Sequence, residues 1–213
     1  MLRATAKCSV ALGKLVKSHW ILTGVIVLWS AAIGLGAREL LRYANTPGRL
    51  AAPPQHWPNG SSLHPPAGPI VLVFAHPQCP CSRATIDELA IVMARARGKA
   101  TAVVFFIAPG SQPLEWVHSD LWRDAQAIPG VDPVEDAEGR EARRFGVSTS
   151  GQTLLYDGGQ NLQFNGGITA SRGHSGGNYG RDAVITILEF GTAQRHTTPV
   201  FGCSLFGEEP SLQ

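Results

Sequence analysis

An α/β domain with a mixed β-sheet flanked by helices, preceded by one N-terminal transmembrane helix, is the architecture this 213-residue sequence predicts. Three observations carry it. Residues 20–37 (WILTGVIVLWSAAIGLGA) hold no charged side chain and are long enough, with their flanks, to cross a bilayer. The runs 69–75 (PIVLVFA) and 101–108 (TAVVFFIA) are continuously apolar and β-branched, as strands buried on both faces are. Segments of helical period alternate with these runs and give way to a hairpin, so the sheet should be mixed.

The N-terminal part divides into a segment at 1–19, an anchor at 20–37 and a proline-rich linker at 38–68, with the folded domain at 69–213. Arg3, Lys7, Lys14 and Lys17 precede the apolar run, and Arg38 and Arg42 follow it. That bias favours a cytoplasmic N-terminus, with Trp20 at an interfacial position. The expected location is then the inner membrane, single-pass, with the C-terminal domain in the periplasm. A cleaved signal peptide ending near Gly34, Gly36 and Ala37 is the competing reading. In the linker, Pro47, Pro53, Pro54, Pro58, Pro65 and Pro66 alternate with Asn59-Gly60-Ser61-Ser62. Without apolar periodicity it should be an extended, mostly unpacked tether.

The first strand covers 70–75. A helical pattern follows from Ser82 to Arg97 and stops at Gly98. Pro80 suits the first helical position, where its missing N–H is no loss. The second strand covers 101–108. Residues 113–128 (PLEWVHSDLWRDAQAI) repeat Leu114, Val117, Leu121, Trp122 and Ala125 at helical spacing, which predicts one amphipathic helix. A short third strand at 130–134 and a helix around 138–145 come next. Residues 152–156 and 162–165, joined by Asp157-Gly158-Gly159, read as a hairpin. Residues 178–190 form the last helix. Asp87 and Glu88 read as a solvated face of the first domain helix, and Trp116 and Trp122 as packing residues.

The chemistry centres on His76-Pro77-Gln78-Cys79-Pro80-Cys81-Ser82, at the step from the first strand into a helix. At a helix N-terminus, free N–H groups and the dipole stabilise a thiolate on Cys79, the form that exchanges disulfides or binds soft metals. Inert, buried cysteines are the alternative for Cys79 and Cys81. Cys8 would stay cytoplasmic, while Cys79, Cys81 and Cys203 would share the oxidising compartment. An odd number there leaves a free thiol, a metal site or a bond to another chain. Cys203, in Thr198-Pro199-Val200-Phe201-Gly202-Cys203, is either a buried thiol or a third sulfur for the motif. His76 could lower the Cys79 pKa or offer a nitrogen ligand. His174 and Arg172, in a glycine-rich loop, are candidates for an acid/base or anion-contacting role. The net charge of +2 and the lack of a basic, aromatic-interleaved stripe argue against a nucleic-acid partner.

This order of elements, with cysteines at the first strand-to-helix turn, resembles the thioredoxin-like fold. It is more closely similar to membrane-tethered periplasmic thiol oxidoreductases and peroxiredoxin-like domains, through segments such as Phe145-Gly146-Val147 and Thr153-Leu154-Leu155-Tyr156-Asp157. The bacterial RedB group is the nearest likeness, and the resemblance spans residues 68–191. It implies a redox-active centre at Cys79, acting on periplasmic protein thiols or disulfides such as those of a respiratory metalloprotein, with no required cofactor. Two features depart from the family. The motif is Cys79-Pro80-Cys81, with Ser82 at the usual resolving position. A Cys-x-Cys disulfide closes a very small ring and should be strained and oxidising. The facing loop, Ser148-Thr149-Ser150-Gly151, lacks the family's proline, which raises the prospect of metal binding. Three functions follow from these residues. The first is thiol–disulfide exchange, with Cys79 attacking and Cys81 resolving. The second is a Cu(I) or other soft-metal chaperone using Cys79, Cys81, Cys203 and His76. The third is peroxide reduction by Cys79.

Overall fold

The computed structural model describes residues 2–206, and for residues 2–18 the backbone alone. Cys8 therefore lies outside the described side chains. The chain forms two compact units that divide between Tyr43 and Ala44. Helix α1 (Leu2–Asn45) runs through the first. Among the described residues it is the one helix long and apolar enough to cross a membrane, over His19–Asn45. Its apolar side chains, from Trp20 to Leu41, are exposed all round. Such a helix has no amphipathic face to bury against a protein core.

The second unit is built on five strands: β1 (Ile70–Ala75), β2 (Thr101–Ala108), β3 (Val131–Ala137), β4 (Gln152–Tyr156) and β5 (Leu162–Gly167). Their spatial order is β3-β2-β1-β4-β5. The first three are parallel, and β4 and β5 are antiparallel additions. β1 and β2 are central, which explains their unbroken apolar sequence. Val71, Val73 and Ala75 face one core with α2 (Pro80–Ala96) and α6 (Tyr179–Phe190). Ile70, Leu72 and Phe74 face the other, with Phe105, Phe145 and Tyr156. The alternation of side chains along one strand thus feeds two separate cores.

Phe145 is the hub of the second core, fully buried and in ring contact with Trp57, Phe74, Phe105 and Tyr156. Phe145→Ala should cost about 3–5 kcal/mol of stability, read as a lower denaturant midpoint. A loss below about 1 kcal/mol would mean that the cavity collapses freely.

Four expectations are corrected. The helix foreseen at 113–128 is broken into α3 (Leu114–Val117) and α4 (Asp120–Gln126). Ser119 is extended at the break, and its hydroxyl donates to the Pro77 carbonyl, tying it to the cysteine turn. The third strand extends to Ala137. Pro133 is tolerated because β3 is an edge strand. The helix near 138–145 shrinks to α5 (Arg140–Arg144), because Glu138 and Gly139 both take positive φ. The proline-rich stretch is extended but not unpacked. Its carbonyls, which prolines keep, accept hydrogen bonds: Arg49 from Thr149 Oγ1, Ala51 from Asn165 Nδ2, Pro54 from the Tyr156 hydroxyl. Trp57 then stands edge-on against Phe145 and Tyr156.

Candidate active site: a three-thiol cluster

β1 ends at Ala75, and the chain turns through His76-Pro77-Gln78 into α2. The turn is closed by the Cys79 N–H donating to the His76 carbonyl at 3.0 Å. Cys79 is the N-cap of α2, extended at φ −87° and ψ 115°, with Pro80 the first helical residue. Ser82 N–H donates back to the Cys79 carbonyl, opening the helix. The Cys79 side chain therefore projects beside free helical N–H groups, as the sequence led one to expect.

What the sequence could not fix is the position of Cys203. Its Sγ lies 3.1 Å from Cys79 Sγ. With Cys81 the three sulfurs all fall within 4.8 Å of one another. Cys79 is 3 % exposed and Cys81 8 % exposed, while Cys203 is half-buried. The segment carrying Cys203 thus leaves Cys79 nearly covered. One flank stays open, where Gln78, Cys79, Pro80, Arg83, Ser119 and Asp120 help line a groove of about 440 Å³.

The electrostatics separate the three thiols. Burial pushes the Cys79 pKa up, but four donors outweigh it and hold the thiol below its ordinary value. They are the Cys203 thiol, the Cys203 and Cys81 backbone N–H groups and the Ser82 hydroxyl. Burial and the neighbouring Cys79 raise Cys81, with Arg172 opposing. Cys203 is pushed up to about 12 by burial, by its hydrogen bond to Cys79 and by the charges of Cys79 and Cys81. Of the three thiols, Cys79 is therefore the one that gives up its proton most readily.

Ser150, passed over in the sequence except as part of a proline-free loop, completes this arrangement. Its hydroxyl is 2.7 Å from that of Ser82 and accepts from the His76 N–H at 2.9 Å. Both serines are buried. The Ser82 hydroxyl is among the groups that lower the Cys79 pKa, and behind it Ser150 ties it to the His76 N–H. Ser82→Ala removes the last link. It should move the pH profile of Cys79 alkylation to higher pH, and an unmoved profile would show that the backbone donors suffice.

The other candidates divide. Arg172 is at the cluster: its guanidinium donates to the Gly202 carbonyl and its charge acts on Cys81 and Cys203. His76 is adjacent, but its Nδ1 accepts from the Gln78 N–H and its ring stands edge-on to Trp116 at 5.3 Å. Burial lowers its pKa, so it is held neutral. It is not among the ligand atoms of the thiol cluster. His174 is exposed in its loop and also lies outside that cluster.

No family model matches this chain, and no curated protein matches it. Solved structures do. A hypothetical protein from Sinorhizobium meliloti aligns at 21 % identity and TM-score 0.52, covering 76 % of this chain and 94 % of that one. An uncharacterised conserved protein from Geobacillus kaustophilus gives 16 % identity and TM-score 0.53, over 78 % and 94 %. A secreted Mycobacterium tuberculosis disulfide oxidoreductase, homologous to E. coli DsbE, gives 17 % and 0.42, over 59 % and 83 %. At such identities the first two likenesses concern the fold alone, and the strand order with its flanking helices is that of a thioredoxin-like mixed sheet.

Proposed function

We propose that this protein is a membrane-anchored thiol–disulfide oxidoreductase, its domain facing the periplasm and its likeness to the RedB group extending to activity. The carrying observation is the 3.1 Å approach of Cys203 Sγ to Cys79 Sγ, with the thiolate held on Cys79. In the reducing direction, Cys79 attacks a substrate disulfide. A Cys79–substrate bond forms and the other substrate sulfur leaves as thiolate. Cys203 then attacks Cys79 Sγ, forming Cys79–Cys203 and expelling the second substrate thiolate. Once Cys79 is bonded to substrate its charge is gone. Two of the influences that keep Cys203 protonated disappear with it, and Arg172 favours the new thiolate. This assigns resolution to Cys203 in place of Cys81, whose bond to Cys79 would close the smaller, strained ring.

Periplasmic protein thiols or disulfides, including those of a respiratory metalloprotein, are the proposed partners. Insulin reduction and disulfide isomerisation by the purified chain, with Cys79→Ser as control, test the reading. Inactivity in both assays with intact thiols would remove it. Because the folded-state pKa of Cys79 is depressed, its thiolate stabilises the fold above the unfolded thiol value. That contribution is lost as pH falls through the folded value. The wild type should therefore lose its stability advantage over Cys79→Ser on acidification, as urea titrations would show.

One observation favours a second reading. Three thiols within 4.8 Å suit trigonal capture of Cu(I) or another soft ion as cargo for delivery. Metal analysis after anaerobic purification decides it, and less than a trace of copper or zinc counts against it. Peroxide reduction has less support, since Arg172 is engaged at Gly202 and the Cys79 sulfur is nearly covered.

A further inference from the structure

Exchange through Cys79 and Cys203 leaves Cys81 without a task. Yet the three sulfurs all lie within 4.8 Å of one another, so Cys81 reaches Cys203 as well as Cys79. Cys203 is firmly placed among them. Ser150 N–H donates to its carbonyl at 2.8 Å and Leu205 N–H donates to the Ser148 carbonyl at 2.9 Å. Gly202 passes so close that a Cβ there would stand 1.8 Å from the Ser150 carbonyl oxygen. Val200 and Leu205 are buried on either side. Cys81, in the first turn of α2, is 8 % exposed. The Arg172 guanidinium hydrogen-bonds to its thiol and also donates to the Gly202 carbonyl, so one cation spans Cys81 and the segment that carries Cys203. Of the three possible disulfides, Cys79–Cys81 closes the small strained ring. The other two share Cys203, and an attack by Cys81 on Cys203 converts one into the other.

We propose that the disulfide migrates to rest between Cys81 and Cys203, and that the oxidised protein, its Cys79 free again at the groove, is a monothiol catalyst of disulfide isomerisation in proteins with more than one disulfide. This rests on the exchange reading of Cys79 given above. The migration balances without a further reagent. Cys81 gives its proton to solvent and attacks Cys203 Sγ; the Cys81–Cys203 bond forms, the Cys79–Cys203 bond breaks, and Cys79 leaves as thiolate. The surroundings set the direction. Backbone N–H groups and the Ser82 hydroxyl receive negative charge on Cys79, which makes it the better leaving group. Burial penalises charge on Cys81 and favours keeping that sulfur in a bond. Substrate has already been released when Cys81 acts, so net reduction does not need it. In the oxidised protein, Cys79 opens a substrate disulfide, bonding one substrate sulfur while the other leaves as thiolate. Both internal partners are bonded to each other, so only a substrate thiolate can release Cys79. When a different substrate thiolate does so, the pairing has changed with no net oxidation or reduction.

The test uses the full chain carrying Cys8→Ser, in which Cys79, Cys81 and Cys203 are the remaining thiols. It is oxidised with diamide, freed of reagent and treated with iodoacetamide, and fragment masses tell a label on Cys79 from one on Cys81. The oxidised protein should be labelled at Cys79, at a rate close to that of the reduced protein. Adding Cys81→Ser strands the disulfide on Cys79 and Cys203, so its oxidised form should lose this labelling. Its reduced form should still be labelled at Cys79 as the parent is, which guards against a misfolded variant. Reactivation of ribonuclease carrying scrambled disulfides reads the activity. The oxidised parent should restore it, and the oxidised Cys81→Ser and Cys79→Ser proteins should not. A label on Cys81, no label, or a labelled Cys79 with no ribonuclease restored overturns the proposal. If the reduced protein exchanges with no disulfide, hydroxyethyl disulfide included, the exchange reading itself fails, a distinct outcome.

Discussion

Cys203→Ser is expected to slow thiol–disulfide turnover by about a hundredfold or more, while the first step, bond formation between Cys79 and substrate, continues. The scale follows from geometry. A second sulfur at 3.1 Å is a near-attack neighbour, and displacing such a group by about 1 Å can cost about a hundredfold. Cys81 remains within 4.8 Å, but its closure onto Cys79 makes the small strained ring. A Cys79–substrate mixed disulfide should therefore accumulate in Cys203→Ser and be trapped by acid quenching and mass analysis. Cys81→Ser should turn over nearly as the wild type does. The reverse pattern, with Cys81→Ser stalled and Cys203→Ser active, would return resolution to the Cys-Pro-Cys motif. The substitution has a second signature. It replaces one of the four donors that hold the Cys79 thiolate, so the alkylation profile should also move to higher pH.

The contrast between these two cysteines marks the limit of what a single sequence encodes locally. Cys79 was legible because its setting is local: an apolar strand, a turn, proline at the first helical position and a glycine stop. Each sits within a few residues of the thiol and each has its own physical cause. The strands at 70–75 and 101–108 were legible for the same kind of reason, since burial on both faces leaves no polar position to obscure the pattern. Cys203 lies 124 residues from Cys79 in the chain, and what brings them together is two backbone hydrogen bonds to residues 148–150. Backbone pairing leaves no side-chain signature, apart from Gly202, whose need for close approach shows only once its neighbour is known. The linker misled for a related reason. Its prolines do predict extension, but extension does not imply exposure when the facing surface offers Thr149, Tyr156 and Asn165 as donors. Ser150 was missed because a buried serine looks like any loop serine until its partners are placed.

Glu88 shows the same limit in energetic form, and it carries the largest stability effect expected outside the hydrophobic core. The sequence places it beside Asp87 on a solvated helical face. In the fold its side chain is fully buried between α2 and α6. One carboxylate oxygen accepts from Arg181 Nη1 at 2.9 Å, and the other accepts from the Gly176 N–H. Arg181, 16 % exposed at its side chain, also donates to Asp182. The pair therefore pins the glycine-rich loop and the start of α6 onto the first domain helix. Removing Arg181 leaves the buried carboxylate without its counter-charge, which costs about 3–5 kcal/mol in comparable pairs. Arg181→Ala should accordingly unfold at a clearly lower denaturant midpoint. Replacing both residues together, as Glu88→Leu with Arg181→Met, should cost much less, because no uncompensated charge remains. The double substitution should also loosen the loop, seen as faster exchange of the Gly176 N–H, while the Cys79 alkylation profile stays where it is. A single Arg181→Ala variant as stable as the wild type would mean that water reaches Glu88 and that the ion pair contributes little to the fold.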